Sequence, residues 1–389
     1  MSQAIEKFEI RVGDAELDDL KQRLERTRWP DQIPGSGWGY GTDLAYLQEL
    51  CAYWREQFDW RAQEALLNRF EHYRTQIDGQ NLHFVHARSK AEAALPLVIT
   101  HGWPGSVFEF YKIIGPLTDP EAHGGSAQDA FHVVCPSMPG YGFSGPTTQP
   151  GWDVRRVAEI VAKLMARLGY APYGAQGGDW GALVTTHLGL VDAEHLAGIH
   201  LNMVVAGPPP GVENPMEGLS PQELEGLTAL GGFQEHETGY QQIQGTKPQT
   251  LGYGLTDSPA GLAGWIVEKF RSWSDCDGDV EKRFSKDELL ANVMIYWVTR
   301  TINSSVRLYC ESMRAGSFGL PPRKVEVPTG CAIFPKELIR MPRRWAEAQF
   351  DVRRWSVMPS GGHFAALEEP EALVAEIRSF FRELRAHVR

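Results

Sequence analysis

Apolar positions in the first ninety residues recur at helical spacing. In GDAELDDLKQRLERTRWP, Leu17, Leu20 and Leu24 share one face, Asp14 stands where a cap would, and Pro30 ends the run. DLAYLQELCAYWREQF repeats the pattern. The period then drops to two: FEHYRTQIDGQNLHFVHAR alternates around Asp78-Gly79, a dipeptide suited to a tight hairpin. From residue 96 the chain becomes a series of short apolar runs, each ending in a glycine-rich turn: LPLVIT into HGWPGS, FHVVCPS into MPGYGFSG, YGAQ into GGDWG. GIHLNMV follows and stops at GPPPG. Strands alternating with helices predict a parallel α/β sheet.

Residues 207 to about 318 break this rhythm with Gly/Pro-rich loops and helical pieces such as GLAGWIVEKF and DELLANVMIYWV. The strand pattern returns in PTGCAIFP and FDVRRWSVMPSGGH, and ALVAEIRSFFRELR is a last helix. The expected organisation is a helical N-terminal domain over 1–90, a sheet core in two parts over 91–206 and 319–389, and a helical lid over 207–318. The lid is expected to cover the carboxyl edge of the sheet.

Composition narrows the function. A net charge of −11 without any Lys/Arg block argues against nucleic acid and anionic membranes as partners. MSQAIEKFEI is not a secretory signal, and no run of 18 apolar residues occurs. The five cysteines have no C-x-x-C or metal-like spacing, which reads as reduced thiols in a soluble, cytoplasmic protein. Oligomeric state is not fixed by any of this, and a homo-oligomer stays open.

The chemistry gathers at AQGGDWGALV. Gly177-x-Asp179-x-Gly181, between a strand and a helix, has the form of a nucleophile elbow, where a strained turn lifts one side chain above the sheet. Serine is the usual occupant; here it is Asp179. A carboxylate attacking an ester would form a reactive anhydride. At an sp³ carbon bearing a leaving group it forms an alkyl ester that water can hydrolyse, so epoxides and alkyl halides are the expected substrates. The bland reading is an Asp bonding to backbone in a glycine turn. After the later strands, MPSGGHF supplies His363 as the candidate base and CAIFPKELI supplies Glu337 as its acid partner, in the order nucleophile, acid, histidine. Glu326, Asp351, Glu368 and Glu369 compete with Glu337, but Glu326 precedes its strand and the last two follow His363. Backbone amides of Trp103, in HGWPGS, and of Trp180, directly after the nucleophile, are the candidate oxyanion donors. His101 reads as a residue orienting that loop.

With these residues in order, the chain resembles the microsomal-type epoxide hydrolases over nearly its full length. HGWPGS, GGDWG, the Phe-Pro-Lys-Glu stretch and GGHF carry the resemblance. It implies an α/β-hydrolase fold with a mainly parallel sheet, an epoxide and water as reactants, no cofactor and no metal. It also implies two lid tyrosines that hold the epoxide oxygen, at Tyr240 in HETGYQQIQGTKP and Tyr309 in SSVRLYCES. A phenol, with pKa about 10, can donate to an opening alkoxide while neutral at pH 7. Tyr296 is the rival for the second role. On one continuous helix it would point over about 100° away from Tyr309, unless Asn303-Ser304-Ser305 breaks that helix. Two alternatives remain: a haloalkane dehalogenase, which would leave the tyrosines without a task, and a degenerate hydrolase fold serving only to bind. Catabolism, detoxification and biosynthesis are equally open as the setting.

Overall fold

The computed structural model describes residues 4–385. Nine strands form one sheet: β1 (Glu6–Phe8), β2 (His72–Ile77), β3 (Gln80–Ala87), β4 (Leu95–Thr100), β5 (Phe131–Pro136), β6 (Tyr173–Gly177), β7 (Leu196–Leu201), β8 (Val325–Ile333) and β9 (Phe350–Val357). Their spatial order is β1-β2-β3-β5-β4-β6-β7-β8-β9. The strands from β5 to β9 run parallel, while β1, β2 and β3 pair antiparallel with their neighbours. Because β5 and β6 flank β4 on opposite sides, the crevice at the carboxyl ends of β4 and β6 is a topological switch point, the usual place for a ligand in such sheets.

The short apolar runs are strands buried on both faces. In β4, Leu97 and Ile99 pack with Phe381 and Ile377 of the helix Pro370–Arg385. Val98 points the other way, into the cluster that holds Val157 and Ile160 of the helix Val154–Arg167. This two-sided cover is why the runs lack an alternating polar face.

The first ninety residues contain helices Asp14–Glu25, Leu44–Glu56 and Trp60–Leu67, the last too short to show a clear period in the sequence. Asp14 lies in the first turn of its helix and Gly13 holds the cap position, so Asp14 is not the cap. The hairpin turns at Asp78 and Gly79, with φ of 51° and 79°, the left-handed pair of a type I′ turn. Through β1–β3 this segment extends the central sheet as well as contributing helices.

The lid region holds helices Pro221–His236, Gly239–Thr246, Pro248–Asp257, Pro259–Trp273, Lys286–Thr299 and Ile302–Ala315. The chain breaks between the last two at Arg300, whose φ is 54°, and Asn303-Ser304-Ser305 lie inside the following helix. No helix among the described residues is long and apolar enough to cross a membrane.

Candidate active site

The nucleophile candidate sits at the first residue of the helix Asp179–Val191, with φ of 50°. Two glycines make that turn sterically allowed. A Cβ on Gly177 would run into the carbonyl of Gly181, and one on Gly181 would run into the carbonyl of Thr100. The helix therefore starts within backbone contact of the end of β4, and its amino end favours negative charge at the elbow.

The carboxylate has two different surroundings. Asp179 Oδ1 accepts a hydrogen bond from the Trp103 amide at 2.7 Å, and Oδ2 lies 3.2 Å from His363 Nε2. On the far side of the imidazole, His363 Nδ1 is 2.7 Å from Glu337 Oε1. Glu337 follows β8, His363 follows β9, and both are buried. Burial alone opposes protonation of His363. The charges of Glu337 and Asp179 and the hydrogen bonds to both outweigh it, holding the imidazole pKa well above its usual value. Before any reaction, His363 is therefore an imidazolium between two carboxylates.

Trp180 differs from Trp103. Its amide makes no hydrogen bond to the Asp179 carboxylate, while its indole ring packs edge-on against Tyr309 at 4.6 Å between centroids. His101 is turned into its own loop: Nδ1 lies 3.0 Å from the Gly102 carbonyl, and Nε2 accepts from the Met138 amide at 3.2 Å. Desolvation lowers its pKa to about 4, so it is neutral. Among the competing acids, Asp351 pairs with Arg353, and Glu326 is exposed on β8. Glu368 braces the loop that carries His363, accepting the amides of Phe364 at 3.0 Å and Asp275 at 2.8 Å.

Tyr240 and Tyr309 meet above the carboxylate, from two lid helices. The Tyr240 ring stacks on Trp103 at 5.4 Å, and Tyr309 stands edge-on to the same indole at 5.8 Å. Burial first, and then the Asp179 charge for Tyr240 and the Tyr240 and Asp179 charges for Tyr309, push both phenols above their usual pKa. Both are neutral donors across the physiological range. Tyr296 is elsewhere engaged, donating its hydroxyl to the Gly105 carbonyl at 2.5 Å. The break at Arg300 redirects the chain between Tyr296 and Tyr309, so their directions are not those of one continuous helix.

Three neighbours escape a reading of the sequence. Lys269 is buried with its ammonium 4.6 Å from the centre of the Tyr240 ring. Trp273 packs edge-on against His363 at 5.1 Å, and its carbonyl accepts the His363 amide at 2.9 Å. Glu109 lines the space behind Asp179 and His363. All three are ordinary helical positions until the lid and the loop after β4 fold onto the sheet.

An acid on a strand-to-helix elbow, a histidine after the last strand and a carboxylate between them in the chain define an α/β-hydrolase-fold protein whose nucleophile position is a carboxylate. The family described as "Epoxide hydrolase N terminus" matches residues 5–110, and that described as "alpha/beta hydrolase fold" matches residues 96–252. A protein of Stigmatella aurantiaca is 50% identical over 98% of this chain and 86% of its own length. Epoxide hydrolase 1 of Oryctolagus cuniculus is 40% identical over 97% and 89%. The crystal structure of juvenile hormone epoxide hydrolase from Bombyx mori superposes with a TM-score of 0.91 at 34% identity, covering 100% of this chain and 96% of the other. This chain belongs to the epoxide hydrolase family with the microsomal-type N-terminal region.

Proposed function

We propose that this chain opens an epoxide to a vicinal diol through an ester on Asp179, without a cofactor. The observation that carries the reading is the divided carboxylate beneath two neutral phenols: Oδ1 on the Trp103 amide, Oδ2 facing His363. Oδ2 attacks a ring carbon, and the C–O bond of the epoxide breaks as Tyr240 and Tyr309 donate to the leaving oxygen. Oδ1 remains on the amide as the ester carbonyl. Esterification removes the Asp179 charge, one of the causes that raise the His363 pKa, so His363 gives up its proton after alkylation; that proton ends on the ring-opened oxygen, relayed by the phenols, and leaves the imidazole free to act as a base. Neutral His363, oriented by Glu337, then takes a proton from water as the water oxygen attacks Cγ. The oxyanion that forms on Oδ1 is held by Trp103, and by the Trp180 amide once the acyl carbon becomes tetrahedral. Collapse breaks the Cγ–O bond to the diol, whose oxygen takes the proton from His363, and the acid left on Asp179 returns its proton to His363, restoring the resting carboxylate and imidazolium.

A dehalogenase would need a halide cradle and no acid. The Trp180 indole is packed on Tyr309 and the two phenols have no task in that chemistry, which favours the epoxide. We read the enzyme as cytoplasmic, supported by five cysteines that are all free. A single turnover in oxygen-18 water, with enzyme in excess, tests the covalent route. The expected result is unlabelled diol and label in the peptide containing Asp179. Label in the diol at the first turnover would make Asp179 a general base for water and overturn the proposal.

A further inference from the structure

Behind the nucleophile a cavity of about 20 Å³ is bounded by Thr100, Gly105, Glu109, Asp179, Asn202 and His363. A polar cavity of roughly 10–15 Å³ or more suffices for one water. Glu109 reaches this space from the short helical turn Val107–Phe110, which Ser106 caps by accepting the Phe108 amide at 3.2 Å. Its carboxyl lies over Gly105: a Cβ added there would fall on Glu109 Oε1. Glycine at 105 thus leaves the room that the carboxyl fills.

The groups facing Glu109 come from every neighbouring element. His363 and Asp179 face it from the sheet edge, Tyr296 from the lid, and the amides of Gly102 and Ser106 from its own loop. His101 lines the same cavity and is neutral. Desolvation raises the Glu109 pKa to about 8, with His363 and the two amides opposing and Asp179 adding to the rise. In the ester both the Asp179 charge and the His363 charge are gone. Their effects were opposite in sign, so desolvation still leaves the carboxyl raised.

We propose that Glu109 holds the hydrolytic water in this cavity, between its carboxyl and His363 Nε2, and so serves ester breakdown and not ring opening. The inference rests on the covalent route proposed above. One water proton passes to His363 as the water oxygen bonds to Asp179 Cγ; the other stays on oxygen, hydrogen-bonded to the Glu109 carbonyl. The Cγ–O bond to the diol then breaks, and the diol oxygen takes the proton from His363. The proton left on the Asp179 acid then returns to His363, and Glu109 ends as it began, neutral. Its neutrality matters, because a second anion here would repel the oxyanion developing on Asp179.

Rapid-mixing of enzyme with styrene oxide, quenched in acid and read by mass spectrometry of the Asp179 peptide, follows the rise of the ester (alkylation) and its decay (breakdown) separately. Glu109→Leu is expected to slow breakdown at least about tenfold, leave alkylation within about threefold and accumulate ester on Asp179, comparable in direction to losing one positioning group. Gly105→Ala, which evicts the carboxyl, should do the same. Wild-type breakdown should decline at alkaline pH, as Glu109 ionises. Glu109→Gln, neutral at every pH, should keep near-wild-type breakdown at pH 7 and lose that decline. Equal slowing of both steps, no slowing of either, or a high-pH decline that persists in Glu109→Gln would overturn the proposal. Should Glu109→Leu fail to fold, the Glu109→Gln profile decides alone. Ester trapped on Asp179 in His363→Gln is the separate control: its presence upholds the covalent route while Glu109 is judged, and its absence overturns both.

Discussion

The sheet edge and the lid both reach the Asp179 carboxylate, but they are built to different tolerances. At the sheet edge, Asp179, Glu337 and His363 follow strands β6, β8 and β9, and their polar atoms meet one another at 2.7–3.2 Å. Backbone carbonyls crowd the elbow so closely that glycine is needed at 177 and 181. The lid supplies its two phenols from separate helices, positioned by ring packing on Trp103 and Trp180 with centroids 4.6–5.8 Å apart. Bonding groups at a strand end cannot shift without losing a hydrogen bond, whereas stacked rings can slide by tenths of an ångström. In the proposed reaction this divides the labour: the sheet edge would carry the covalent and hydrolytic steps, which demand fixed distances, and the lid would carry the acid.

The largest effect is expected at the elbow. Asp179→Ala is expected to abolish turnover, by about 10⁴-fold or more, as loss of a nucleophile does elsewhere. Alanine at φ of 50° costs about 1–2 kcal/mol in a left-handed conformation. A modest fall in Tm with unchanged circular dichroism is therefore expected, and Asp179→Gly should be equally inactive with less strain. A folded variant of either kind with near-wild-type turnover would remove the nucleophile.

His363→Gln should lower steady-state turnover by about 10²–10⁴-fold and still react once, since ring opening draws on the lid. Mass spectrometry of the intact protein should show one substrate mass added. An absent adduct would overturn the covalent route, and with it the separation of the two regions. The same site offers a titration. Asp179 raises the His363 pKa in the free enzyme, so the imidazole should lose its proton at lower pH in Asp179→Ala than in wild type. NMR of the ring protons reads the midpoint, and an unchanged one would show that Glu337 alone holds the charge.

Lid variants should be milder and confined to the first step. Tyr240→Phe and Tyr309→Phe each remove a donor to the developing alkoxide, at about 2–4 kcal/mol by analogy with oxyanion donors. The double variant should be close to inactive. Rapid-mixing should show slower alkylation with unaltered ester breakdown; slowed breakdown in either would move that tyrosine into the hydrolytic machinery.

The sheet edge was legible in the sequence because each of its residues stands a fixed few positions after a strand: Gly-Gly-Asp after YGAQ, Glu337 after CAIFP, His363 after SVMPS. Strand ends are local features, and glycine marks the turns. What decides the lid is not local. Nothing in WIVEKFRSW distinguishes Lys269 and Trp273 as neighbours of Tyr240 and His363 until that helix packs on the edge. Glu109 reads as the polar side of a short helix in VFEFYK, and its value lies in the room left by Gly105 four residues earlier. β1 was equally hidden, since three residues, Glu6–Phe8, form a strand only by pairing with His72–Arg74. The sequence leaves a helix break at Asn303-Ser304-Ser305 open, but serines and asparagine can sit within a helix when their side chains bond back to it, as Ser305 does to the Ile302 carbonyl at 2.8 Å. Arg300 in the left-handed region makes the break instead.

The smallest expected effect on chemistry tests where the two regions are tied together. Tyr296 belongs to the lid by position and to the sheet edge by its bond. It donates to the Gly105 carbonyl, and one turn away Asn292 donates to the Pro104 carbonyl at 2.8 Å and accepts from the Ser106 hydroxyl at 2.8 Å. These contacts fasten the loop whose Trp103 amide holds Asp179 Oδ1. Tyr296→Phe leaves the buried Gly105 carbonyl without its partner, a loss of about 1–3 kcal/mol in stability. Its ring still fills the space, and Asn292 still grips the loop on both sides. The expected outcome is a lower Tm with alkylation and ester breakdown each within about threefold of wild type. The two steps give the test its direction. If alkylation alone were crippled while Tyr309→Phe behaved normally, Tyr296 would be the second acid and the lid would reach the epoxide from a different helix. If both steps fell together, the clasp would be setting the position of the Trp103 amide, and the tolerance of the sheet edge would depend on the lid.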